Sequence, residues 1–146
     1  MNFFSLLEDA VKKWSGEVAV VHRGDSLRYS DILAAAEFLA VELRGFGVEE
    51  GDKVGIMCSN GFEHIVATFA VLRVGAIVFN IRPASKSDEV ENLAKEMGLD
   101  AFCYTAGFAG VLPRPEDDSR CISIISGRDP LILRSEERRV GKECRL

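Results

Sequence analysis

The sequence predicts an α/β fold built from parallel-sheet βαβ units flanked by helices. Three observations predict it. Segments of strand character alternate with segments of helical period, in the order strand–helix–strand–helix–strand. The joints between them are short and marked by glycine, at Gly47, Gly75 and Gly98. Ile77, Val78 and Phe79 are consecutive and apolar, which suits a strand covered on both faces of a parallel sheet.

The elements follow in order. Phe3, Leu6, Leu7, Ala10, Val11 and Trp14 recur at helical spacing, so residues 3–14 form an amphipathic helix that Gly16 ends. Val18 to Val21 is a short β-branched run. Arg23 to Ser26 turns and Leu27 to Tyr29 extends again, which makes a hairpin. Ser30 is placed to cap the next helix, and Asp31 suits the positive end of its dipole. Ile32, Ala36, Leu39, Leu43 and Phe46 form its buried stripe, and Gly47 supplies a left-handed stop.

Lys53 to Cys58 is the next strand, with Val54, Ile56 and Cys58 on one face. Asn60 and Glu63 have capping-box spacing. Phe62, Ile65, Val66, Phe69 and Leu72 line a helix that Gly75 closes. A third helix spans 87–97, with Asp88, Glu89 and Glu91 in its first turns and Gly98 at its end. Ala101 to Tyr104 and Cys121 to Ile125 are two further strands. The polar, proline-broken stretch from Pro113 to Asp118 reads as a surface loop.

Length and composition set limits. A chain of 146 residues suits one domain and buries roughly 68–70% of its unfolded surface. A net charge of −5 gives no electrostatic case for nucleic acid or an anionic membrane. No apolar run, Ala76 to Phe79 included, comes near the length of a membrane span. Met1-Asn2-Phe3-Phe4 has no basic region and is soon followed by Glu8 and Asp9, which is a poor signal peptide. The expected location is the cytoplasm.

The cysteines, Cys58, Cys103, Cys121 and Cys144, include no CxxC pair. Cys58 and Cys103 end apolar strands and read as small buried hydrophobes rather than catalytic thiols. His22 lies beside the Gly24-Asp25 turn and His64 within a helix. Both read as structural or surface residues rather than ligands.

Phosphate binding needs clustered backbone N–H groups, usually where a glycine-rich turn enters a helix. The chain contains neither GxGxxG nor GxxxxGK[ST]. Gly47 to Lys53 is flanked by glycines, but Glu49, Glu50 and Asp52 would repel a phosphate, so it reads as a connector. Thr105 to Gly110 follows a strand but lacks a lysine or serine partner. No paired carboxylates, metal-spaced histidines or nucleophile elbow stand out. The pattern therefore points to no catalytic or metal-binding residue, and it leaves the cofactor-binding residues unknown. Asn80 and Arg82, at the carboxyl end of a predicted parallel strand, sit where open α/β sheets bind ligands. The simpler reading, which we favour, is that Asn80 and Pro83 shape a turn while Arg82 faces solvent.

Three blocks carry a family resemblance: Ser26–Leu33, Gly51–Asn60 and Phe69–Pro83. Gly51-Asp52-Lys53-Val54-Gly55-Ile56 resembles the G-D-x-V-x-I strand of adenylate-forming (AMP-binding) enzymes. Leu72-Arg73-Val74-Gly75-Ala76 resembles their L-K-A-G-A block. The order of elements matches over residues 3–125. Departures are Phe79-Asn80, where Val-Pro is common, and Ser85-Lys86, where the usual loop is more hydrophobic.

The resemblance implies an N-terminal fragment of an acyl-CoA synthetase-like ligase, as in fatty acid metabolism. Such enzymes activate a small carboxylic acid with ATP and Mg²⁺ to an acyl-adenylate, then usually pass the acyl group to coenzyme A. The matched blocks are chiefly scaffold. The family's phosphate loop and C-terminal catalytic lysine match nothing here, so no catalytic residue is carried over. No cofactor is expected to bind this stretch alone, and activity in isolation is not expected. The alternative is a freestanding, non-catalytic α/β domain that binds a ligand or partner. A Rossmann-type nucleotide binder ranks third because its fingerprint is missing.

The pattern changes at Arg134. Of the last 13 residues, RSEERRVGKECRL, eight are charged, five positive and three negative; removing their +2 leaves −7 on residues 1–133. A solvated tail is one reading. We favour the other, that residues 134–146 are foreign: the string resembles translated sequencing-adapter DNA. The expected organisation is thus a partial AMP-binding N-terminal domain at 1–133 followed by a charged, foreign tail.

Overall fold

The computed structural model describes residues 2–58, 61–105, 120–126 and 133–138, with side chains described for the first two stretches. Helix α1 spans Phe3–Trp14 and is capped by the Asn2 side chain, which accepts from the Phe4 N–H at 2.6 Å. Strands β1 (Val18–His22) and β2 (Asp25–Arg28) pair antiparallel. Their turn is only Arg23-Gly24, with φ of 52° and 86°. Two positive φ values match the twist of the flanking strands. Asp25 and Ser26 thereby join β2 instead of the turn expected over 23–26.

Helix α2 is Tyr29–Gly45, so its cap is Arg28 and not Ser30. Asp31, three residues on, accepts the Arg28 N–H at 2.9 Å and satisfies an N-terminal donor that Ser30, already inside the helix, cannot. Gly47, at φ 87°, ends the helix as expected. The Val48 N–H bonds to Leu43 C=O at 3.1 Å and the Gly47 N–H to Arg44 C=O at 2.9 Å. Val48 and Leu43 are buried in one cluster, which completes a Schellman motif.

Strands β3 (Lys53–Met57), β4 (Ile77–Asn80), β5 (Ala101–Thr105) and β6 (Arg120–Ser126) are mutually parallel, and β7 (Leu133–Arg138) is antiparallel to β6. The spatial order is β4-β3-β5-β6-β7. Helix α3 (Phe62–Val74) joins β3 to β4, and α4 (Ser87–Met97) joins β4 to β5. Helix α3 starts after Gly61, one residue later than the expected Asn60 cap; Asn60 itself lies outside the described residues. Its end is as expected, with Gly75 at φ 86°.

The two crossovers cover opposite faces, as right-handed connections must when the chain steps first one way and then the other across the sheet. Val54, Ile56, Cys58, Ala101 and Cys103 pack with α2 and α3. Met57, Phe102 and Tyr104 pack with Val90 of α4 and with Ile81 and Leu99. A third cluster holds α1 on α2 and α3 through Phe4, Leu7, Leu27, Ile32, Ala36 and Phe62.

One expectation holds only in part. Val78 packs on the α2–α3 side of Ile77-Val78-Phe79 and Phe79 on the α4 side, so both faces are partly covered, but Ile77 is 49% exposed. The run is apolar, yet among the described residues β4 pairs with β3 alone and forms the edge of the sheet, which leaves its burial incomplete. The segments around Pro113–Asp118 and Ala106–Gly110 lie outside the described residues.

Candidate functional site

The carboxyl ends of β3, β4 and β5 lie side by side, since all three strands are parallel and in register. The chain leaves β3 toward β4 and returns across it to β5, so β3 ends at a switch point, where open sheets form ligand crevices. The residues there are Met57, Cys58, Asn80, Ile81, Arg82 and Thr105. Ile81 turns inward, its N–H donating to Ile56 C=O at 2.9 Å. Asn80 and Arg82 are exposed. The Arg82 carbonyl accepts from the Ser85 N–H at 3.0 Å, closing a turn through Pro83. That arrangement is the simpler of the two readings of Asn80 and Arg82.

Burial pushes the Cys58 thiol up to about 12, aided by the Glu63 carboxylate. Burial likewise raises Cys103, with Cys58 beside it. Both side chains are buried, and Cys58 Sγ points to the Cys103 carbonyl at 3.9 Å. A thiol protonated so far above neutrality is no nucleophile. These two are the small hydrophobes the sequence indicates.

The connector from Gly47 to Lys53 turns its charge onto its own backbone. Asp52 Oδ2 accepts the Glu49 N–H at 2.9 Å, and the Gly51 N–H reaches Gly75 C=O at 3.0 Å. The sequence has neither GxGxxG nor GxxxxGK[ST] to hold a phosphate.

The structure also forms a cleft that periodicity does not reveal. Val20, Val21 and His22 of β1 face Gly61, His64 and Ile65 across about 290 Å³. His22 sets its ring edge-on to Phe62, with centroids 6.0 Å apart. Both histidines of the chain line this cleft because β1 lies along the start of α3. Among the described residues, no three His, Cys, Asp or Glu side chains converge well enough to hold a metal ion.

Architecture and edge geometry define an open, doubly wound α/β domain without a phosphate-gripping loop of its own in the described residues. The family model described as AMP-binding enzyme matches residues 7–142, and the chain belongs to that family. It is similar to a long-chain-fatty-acid–CoA ligase of Escherichia coli O6:H1, 27% identical over 128 residues, covering 87% of this chain and 23% of the relative. A medium/long-chain-fatty-acid–CoA/3-oxocholest-4-en-26-oate–CoA ligase of Mycolicibacterium smegmatis is 29% identical over 133 residues, covering 88% and 24%. The chain thus spans about a quarter of the length of these curated relatives.

The fold is that of a benzoate CoA ligase from Burkholderia xenovorans LB400, with a TM-score of 0.77 at 16% identity, over 90% of this chain and 26% of the other. No helix among the described residues is long and apolar enough to cross a membrane.

Proposed function

We propose that this chain is an N-terminal portion of an ATP-dependent carboxylic acid–CoA ligase and is inactive by itself. The whole enzyme would form an acyl-adenylate from a small carboxylic acid, with Mg²⁺ screening the phosphates, and then an acyl-CoA. One observation carries the reading: the family match runs along nearly the whole chain, yet the sequence contains no glycine-rich Ser/Thr/Gly/Lys loop. The fatty-acid ligases among the relatives support an acyl substrate. A cytoplasmic location, no nucleic-acid partner and a domain boundary at residue 133 belong to the same proposal.

The test is ATP–pyrophosphate exchange with the purified chain across a panel of aliphatic and aromatic acids. No exchange above background is expected. Exchange with any acid would overturn the reading. Sequencing the source DNA beyond codon 133 gives the independent check, and a phosphate loop in the continuing frame is the expected result.

A further inference from the structure

We draw no further inference here: the strongest candidate, the cleft where His22 of β1 faces His64 at the start of α3, carries none, because nothing in the structure shows what fills it.

Discussion

Lys53 and Asp100 hold each other by both ends. The Lys53 N–H donates to Asp100 Oδ2 at 2.8 Å, and the Asp100 N–H donates to Lys53 C=O at 2.7 Å. The Lys53 ammonium continues to Met97 C=O at 2.8 Å, satisfying a carbonyl in the last turn of α4. The start of β3 is thus tied to the entry of β5, which sets the register that brings their carboxyl ends level.

Asp100→Ala should therefore destabilise the chain by about 1 kcal/mol, the usual net worth of such a bond. Asp100→Asn keeps an acceptor for the Lys53 amide and should recover most of the loss. Urea unfolding of the two variants measures this; equal losses would show that charge, and not acceptance, matters.

Gly55 sits under the Phe102 ring. A Cβ at Gly55 would stand 2.9 Å from Ile81 Cδ1 and 3.0 Å from Phe102 Cδ1. All three belong to the face covered by α4, where Phe102 is fully buried. Gly55→Ala should cost about 1–3 kcal/mol by overpacking. Phe102→Leu in the same chain should cost less in the Gly55→Ala background than alone. Strict additivity in the double-mutant cycle would show that the two residues do not press on each other.

The buried thiols predict an alkaline limb. In the unfolded chain a cysteine ionises near 9, while folded Cys58 does so near 12 and Cys103 is raised too. Above pH 9 the unfolded state releases protons that the folded state keeps, so stability falls as pH rises. The contribution is complete below about 9 and is lost progressively toward 12. Cys58→Ala should flatten the slope of melting temperature against pH in that window. An unchanged slope would assign the alkaline loss to other groups.

The open edge predicts surface behaviour. Among the described residues β4 pairs on one side only, and Phe3, Leu6, Trp14 and Ile77 are exposed. Apolar patches and free strand edges attract dyes and neighbours. The chain should bind 1-anilinonaphthalene-8-sulfonate. No binding, with one sharp cooperative melt, would describe a self-sufficient domain and favour the non-catalytic reading.

The charged segment from Arg134 predicts little loss on removal. β7, Leu133–Arg138, pairs with β6 but contains a single apolar residue. Its ladder bonds are worth about 1 kcal/mol each, against about 1–2 kcal/mol per residue of backbone ordering. Truncation after Leu133 should leave stability within about 0.5 kcal/mol. A loss of several kcal/mol would make the segment part of the domain.

The bounds of α1 and α4, the stops at Gly47 and Gly75, and the inward face of β3 were legible residue by residue. Each depends on neighbours within a turn or two, where spacing, dipole and φ restriction act directly. The family was legible for the same reason, because its blocks are short and contiguous. Burial of the thiols could be read from the apolar runs that Cys58 and Cys103 end.

Long-range pairing settled the rest. The run Ile77–Phe79 looks like a central strand, but its place at the edge depends on which strands find it. Arg28 capped α2 because the hairpin turn closed in two residues and drew Asp25 and Ser26 into β2. His22 and His64 line one cleft because β1 packs along α3, and no periodicity connects residues so far apart. Helical and strand periods are properties of one segment, whereas an edge, a cleft and a register are properties of two segments meeting, and only the folded chain brings those together.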